Sequence, residues 1–576
     1  MSAQANHDAI ALQRRPAERT TAGTAAPPAP RSPDSDSGAD SGSGEFLHEF
    51  LLAAGRSHPH RTAVVERAPD GALKSLSYED LATRTQAWAG ELSALDVGVG
   101  DRVVLESDSS SSALAMLMAC STLGATFVPL SPRTPSARRL SIVGMTDPVL
   151  YLCSEEANSG DSSSVDNVGG LAALPARTGL GRFGPRGLTI ERPPAERPRH
   201  RRSPVTTDPA YIVFTSGSTG TPKGVVMSHR GYLGFCRGML RYGVVTEEDR
   251  VASTSPFQFD FSLLDAGLAL GTGATLVPVP RGLLRWPRRF ARFLREAEVT
   301  QVNGVPSIWR PLLRHEPERL GELGAVRGIL FSGERFPLSD LRVLRSALPG
   351  IRIVNCFGST ESVACCFSDV PDPLPRDEAE LSIGRPHPGA EILLIDGEGH
   401  PVDSPGTVGE IHLHSPALFT GYWGDPEGTR RALVPDPLDP RSGQVVYRSG
   451  DLASWGHDGE LYFHGRADSM VKIRGNRVEL GAVERRLCAA ASAEAAAVVA
   501  APRHGDATDP VLTAFVVPAP GGAPLDPGEL RAFCGLELPD YMVPEELHVV
   551  DQLPTNPHGK VDRSALLALA GRERAS

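Results

Sequence analysis

Tyr211–His229 reads YIVFTSGSTGTPKGVVMSH, and the fold is read outward from it. An apolar strand, Tyr211–Phe214, runs into Thr215-Ser216-Gly217-Ser218-Thr219-Gly220-Thr221-Pro222-Lys223-Gly224. The glycines open backbone conformations closed to other residues and let N–H groups approach an anion closely. Five hydroxyls and one ammonium add donors. A strand feeding such a loop is phosphate-cradling chemistry, whereas a plain Ser/Gly turn needs neither the lysine nor the strand. It is not a Walker A loop, because no G-K-[ST] follows at the required spacing.

On the N-terminal side, Leu76–Leu92 (LSYEDLATRTQAWAGEL) has apolar residues at helical spacing and a serine able to cap. Asp101–Leu105 (DRVVL) and Ala125–Leu130 (ATFVPL) read as strands flanking an apolar helix, Ser111–Leu123. The alternation predicts βα units around a parallel sheet. Ser154–Pro204 breaks it, being Ser/Gly/Pro-rich and then Arg-rich (Glu191–Arg202, ERPPAERPRHRR). It reads as a loop or linker between two lobes, the alternative being a basic docking patch for an acidic partner. Alternation resumes from Tyr211 to about His464, and the remaining C-terminal stretch predicts a small α/β unit with Pro518–Pro527 as a loop. Residues 1–44 are rich in Ala, Ser, Thr, Pro, Gly and Asp and predict a disordered tail, with order starting near Phe46.

A chain of 576 residues allows several domains or one large two-part enzyme. A formal charge of −11 argues against a nucleic-acid partner. It leaves ATP open, because backbone N–H groups and a few cations suffice for one polyphosphate. Eight cysteines without C-x-x-C spacing point to a reducing compartment rather than disulfides or zinc. No apolar run reaches the ~18 residues of a spanning helix, and the N-terminus shows no signal pattern. A cytoplasmic protein without a membrane partner is expected.

The 211–229 segment closely resembles the signature loop of the adenylate-forming superfamily, which includes acyl-CoA ligases, luciferases and the adenylation domains of nonribosomal peptide synthetases. Further segments match in order: Asn355–Glu361 (NCFGSTE), Gly409–Trp423 (GEIHLHSPALFTGYW), Tyr447–Leu452 (YRSGDL), Gly465–Glu484 (GRADSMVKIRGNRVELGAVE), Leu538–Pro544 (LPDYMVP) and Pro554–Arg563 (PTNPHGKVDR). The resemblance covers about residues 46 to 570. It implies an α/β fold with a large N-terminal adenylation domain of βα subdomains over 45–467 and a small mobile α+β domain over 468–576. The implied reaction is attack of a carboxylate on the α-phosphorus of ATP, expelling pyrophosphate, where two anions must meet among cations and oriented donors.

By the same resemblance, Thr215, Ser216, Gly217, Ser218, Thr219, Gly220 and Lys223 hold the β- and γ-phosphates. Phe357, where the family usually has Tyr, stacks on adenine beside Gly358. Thr360 contacts the α-phosphate and Glu361 helps hold Mg²⁺. Ser359 replaces the usual proline between them. Asp451 accepts the ribose hydroxyls, Phe463 lies beside the nucleotide and Arg466 sits near the domain junction. Lys560 bridges the substrate carboxylate and the nucleotide. After adenylation the small domain rotates about Asp468, Lys560 leaves, and Gly475 with its neighbours lines a tunnel for the thiol.

Phe257–Asp265 (FQFDFSLLD) resembles the F-D-x-S segment of amino-acid-activating members, where the aspartate, here Asp260, pairs with the α-ammonium. The remaining pocket positions carry over to Phe261, Leu264, Asn303, Leu330, Ser332, Cys356, Ala364 and Cys365. That pocket is small and partly polar, with Asn303 and Ser332 as hydrogen-bonding groups. It implies Thr, Ser, Cys or Ala, and a similarity of FDFSLLD to D-alanine–carrier-protein ligases keeps D-amino acids open. No L-G-G-x-S carrier site occurs, so the acceptor thiol is expected from another protein or from CoA; the resemblance implies a phosphopantetheinylated carrier protein in trans, with room for a small activator protein. The expected protein is thus a stand-alone amino-acid adenylating ligase. An acyl- or aryl-CoA ligase shares the phosphate motifs, and Asp260 is what counts against it.

Overall fold

The computed structural model describes residues 45–155, 174–198, 203–216, 222–374, 381–467, 470–490, 493–503, 506–519, 525–555 and 561–573. Short apolar strands alternating with helices build two largely parallel sheets. The first has nine strands, in spatial order Arg385–Pro386, Cys366–Asp369, Arg352–Phe357, Gly328–Ser332, Gln301–Gly304, Arg250–Ser253, Thr275–Pro278, Thr62–Arg67 and Leu73–Ser77. The second has eight: Gly421–Tyr422, Lys223–Ser228, Pro209–Thr215, Thr126–Leu130, Arg102–Glu106, Leu150–Ser154, Gly179–Gly184 and Gly187–Arg192. Antiparallel pairs occur toward the sheet edges. Helices Ser111–Leu123 and Asp260–Thr272 are apolar on nearly every face and lie in one core with strand residues of both sheets.

A third, antiparallel sheet joins Glu391–Ile395, Val408–His414, Val445–Trp455, Leu433–Pro435 and Leu461–Arg466. The strand–helix alternation expected as far as His464 therefore gives way after Phe357 to mainly antiparallel strands. The C-terminal region has its own core, in which Ile473, Val478, Val483, Leu487, Val498, Leu512, Leu530 and Met542 pack together. The molecule is thus a mixed α/β protein with a large N-terminal and a smaller C-terminal domain.

Two sequence readings change. The helix expected from Leu76 begins at Tyr78, because the Ser77 hydroxyl caps the Asp80 N–H, while Leu76 belongs to the preceding strand. The Ser154–Pro204 linker contains two strands, Gly179–Gly184 and Gly187–Arg192, which extend the second sheet beside Leu150–Ser154. Pro518 ends the strand Asp506–Pro518, and Pro527 opens a helix. The tail 1–44 lies outside the described residues.

Candidate active site

Thr215 and Lys223 face each other across an antiparallel pair, so the glycine-rich segment is the connection of a hairpin. Gly217, Ser218, Thr219 and Gly220 lie outside the described residues, as do Asp468 and Lys560. At the foot of the loop, Ser216 Oγ donates to the Arg477 carbonyl at 2.8 Å. Lys223 Nζ stands 4.2 Å from the centre of the Tyr422 ring.

Strand Arg352–Phe357 delivers Phe357, Gly358, Thr360 and Glu361 to the same place. Glu361 is wholly buried. Arg477 Nη1 lies 2.8 Å from both of its oxygens, and the Tyr422 hydroxyl donates to Oε1 at 2.8 Å. Burial alone would raise this carboxyl. Arg477, the Tyr422 hydroxyl, a backbone N–H and Lys223 outweigh it and hold the group down at about 2. Asp451 is opposite Arg466 in the third sheet and accepts from its Nη1 at 2.7 Å, while Nη2 donates to the Ser449 carbonyl at 3.0 Å. Burial pushes Asp451 upward against the pull of Arg466 and Lys472. The Phe357 and Phe463 rings lie 5.3 Å apart. The structure therefore brings Ser216, Lys223, Phe357, Gly358, Thr360, Glu361, Asp451, Phe463 and Arg466 into one cleft.

The surroundings of Asp260 are built differently. Asp260 is half-buried at the head of helix Asp260–Thr272 and forms no ion pair among the described residues. Burial and the neighbouring Glu361 charge push it up to about 7, against backbone N–H groups and Lys472. Phe261 and Leu264 follow on its helix, and Asn303, Leu330, Ser332 and Cys356 come from three adjacent parallel strands. The crevice at the carboxyl ends of such strands is a usual ligand site. Ala364 and Cys365 close the turn after Glu361, where the Cys365 thiol donates to the Phe357 carbonyl at 3.4 Å.

Asn303 has a different setting from the one its pattern implied. It is wholly buried, its amide donates to Asp265 Oδ1 at 2.8 Å, and its carbonyl accepts from Gln301 Nε2 at 2.8 Å. Its carboxamide is fixed by protein partners, while Ser332 hydrogen-bonds the Cys356 thiol.

The C-terminal domain reaches this cleft through the hairpin Met470–Ile473 and Asn476–Glu479. Its two-residue turn has φ of +47° at Arg474 and +75° at Gly475, as a twisted hairpin demands. A Cβ on Gly475 would come within 2.2 Å of Val305 Cγ1, so only glycine fits this contact with the large domain. Lys472 and Arg477 are direct cross-strand partners and share one face. Lys472 Nζ lies 3.4 Å from the Gly358 carbonyl and 5.3 Å from the Phe357 ring centre. Lys472, Arg477 and Tyr422 were not singled out from sequence, although all three lie inside matched motifs. The alternation within the hairpin is the signal that puts the two cations on one face.

A model of the AMP-binding enzyme family matches residues 51–423, and one of the AMP-binding enzyme C-terminal domain matches 482–560. The chain belongs to the AMP-binding enzyme family. It is an AMP-forming ligase. Two relatives within this family are described as L-proline–[L-prolyl-carrier protein] ligases. The one from Pseudomonas fluorescens is 32% identical over 527 residues, 91% of this chain and 99% of its own. The one from Streptomyces coelicolor is 32% identical over 520 residues, 88% and 93% of the two chains. Among solved structures, IdnL1 is 56% identical with a TM-score of 0.80, covering 88% of this AMP-binding enzyme and 99% of that chain. Among the described residues, no helix is long and apolar enough to cross a membrane.

Proposed function

We infer that the protein activates a small amino acid with ATP as aminoacyl-AMP, releases pyrophosphate, and transfers the acyl group to the phosphopantetheine thiol of a separate carrier protein. The observation that carries this reading is Asp260: a carboxylate inside the substrate crevice, beside Glu361, with no cation of its own among the described residues. A substrate ammonium would supply the missing charge, and a fatty or aryl acid would not. End-to-end similarity to carrier-protein ligases supports the second half-reaction.

In this reading the Thr215–Gly224 loop cradles the triphosphate, Phe357 and Phe463 flank adenine, and Asp451 takes the ribose hydroxyls. Thr360 meets the α-phosphate. Asp260 anchors the amino end so that the carboxylate faces phosphorus, and Lys560 neutralises both anions as they approach. Phe261, Leu264, Leu330, Ser332, Cys356, Ala364 and Cys365 bound the side chain, with Asn303 as a rigid wall.

Glu361 has the hard oxygens Mg²⁺ prefers and is wholly buried, so it fits that ion when Arg477 withdraws. Bound with ATP, Mg²⁺ would offset charge developing on the departing pyrophosphate. Asp468 is the hinge between domains divided at 467/468, and Gly475 lines the path of the thiol.

Pyrophosphate exchange against L-, D- and β-amino acids, proline included, tests the first half, and loading of a holo-carrier protein against free CoA tests the second. Exchange with an amino acid and loading of the carrier are expected. Acids lacking an amino group as the preferred substrates, or CoA as the preferred acceptor, would favour an acyl- or aryl-CoA ligase instead.

A further inference from the structure

We propose that Arg477 and Mg²⁺ alternate as the counter-ion of Glu361, so that departure of magnesium pyrophosphate permits the Met470–Glu479 hairpin to seat on the large domain. This deepens the adenylation reading and rests on it.

One residue of the small domain engages both groups expected to serve the metal–phosphate end of ATP. The Arg477 side chain takes both oxygens of Glu361 at 2.8 Å, and its backbone carbonyl accepts the Ser216 hydroxyl at 2.8 Å. The guanidinium Nη1 is equidistant from the two carboxylate oxygens, and Tyr422 occupies a further direction at Oε1. A magnesium ion on that carboxylate needs an oxygen at about 2.1 Å and an octahedral shell, for which no room is left while Arg477 is seated. With Lys223 also close, a second cation would face like charge.

In the seated arrangement Glu361 is wholly buried with Arg477 as its ion-pair partner, so unseating the hairpin takes that cation away and opens the carboxylate to another. A cation arriving with the triphosphate takes the place Arg477 leaves, and the exchange is coupled to domain position because Arg477 travels with the small domain. Gly475 on Val305 and Arg310 between Glu334 and Asp509 (3.4 Å each) belong to the same seated arrangement. That arrangement leaves Ser216 and Glu361 unavailable to a metal-bound triphosphate. The adenylate, lacking the β- and γ-phosphates, needs neither. Transfer thereby follows adenylation rather than competing with it.

Cys488 is exposed and the other seven cysteines are buried, so Cys488 and an added cysteine at exposed Glu248 (Glu248→Cys) form a dye pair spanning the two domains. In the otherwise wild-type full chain, magnesium pyrophosphate should shift the inter-dye distance away from the seated value. Pyrophosphate with EDTA should do so far less. Arg477→Gln should be unseated in every condition, with Arg477→Lys between the two and melting temperatures confirming folded protein. Carrier loading from preformed aminoacyl-AMP should fall about 100-fold in Arg477→Gln, while pyrophosphate exchange changes less than about threefold. An Arg477→Gln distance distribution like the wild type's, or a wild type indifferent to magnesium pyrophosphate, would overturn the proposal. Failure of the wild type to exchange pyrophosphate with any amino acid would instead overturn the adenylation reading, whatever the distances show.

Discussion

Glu361 and Asp260 are neighbouring acids of one cleft with opposite electrostatics. Glu361 is held at about 2 because Arg477 and Lys223 overcome its burial. Asp260 is pushed up to about 7, since burial is reinforced by Glu361 itself and outweighs two backbone N–H groups and the Lys472 charge. The nucleotide side is thus electrostatically satisfied by the protein, whereas the acid side lacks one cation. Charge that the chain supplies marks where it holds its own machinery, and charge that it withholds marks where a cationic substrate group is to arrive.

The sharpest way to break this contrast is Asp260→Ala. Amino-acid-dependent pyrophosphate exchange should lose about 3 kcal/mol or more, at least roughly 100-fold in kcat/KM, since the ammonium would enter a crevice without its counter-ion. Exchange at wild-type efficiency would show that Asp260 does not pair with substrate. Next in size is Gly475→Val. A positive φ and the contact with Val305 both exclude a side chain there. Carrier loading should fall about tenfold to 100-fold while exchange stays within about twofold. Equal losses in both assays would sever the hairpin from the transfer step.

The contrast also predicts a pH signature. If Asp260 pairs with the substrate, as proposed, it does so in its ionised form, and its protonated fraction grows as pH falls through about 7. The KM for the amino acid should rise by up to about tenfold per unit below that value. Glu361, held at about 2, stays ionised over the same range and adds no such dependence. An amino-acid KM that is flat from pH 8 to 5.5 would contradict the assignment. The smallest effect is expected at Asn303. Asn303→Ala removes the partner of Asp265 Oδ1, whose carboxyl burial already raises to about 7. A loss of about 1–3 kcal/mol in unfolding free energy should accompany a few-fold broadening across the amino-acid panel. An unchanged melting profile would show that the Asp265–Asn303–Gln301 chain is not structural.

Much of this was legible in sequence. The helix Ser111–Leu123 falls where its apolar run placed it, and Phe357, Glu361, Asp451 and Phe463 share a cleft although far apart along the chain. The strand Gly179–Gly184 was illegible because glycines replace the usual apolar alternation, whereas Gly187–Arg192 keeps that alternation at Leu188 and Ile190. Cβ atoms at Gly179 and Gly181 would approach Leu150 Cδ1 and Leu152 Cδ2 to 2.8 and 2.9 Å, so the strand packs by lacking side chains. Lys472 and Arg477 were illegible for another reason. Each alone reads as a solvated charge, and only the hairpin register, with the docking of one domain on the other, aims both into the cleft. Asn303 sat in the right strand, but its partners Asp265 and Gln301 follow from packing that no local pattern encodes.

The central claim is that the crevice at Asp260 takes an ammonium. Its most direct measurement is ATP–pyrophosphate exchange for pairs of acids that differ only in the amino group, such as alanine or β-alanine against propionate and proline against cyclopentanecarboxylate. The account predicts exchange with at least one amino acid and at least roughly 100-fold less with its desamino partner. Comparable exchange for both members of a productive pair would contradict it.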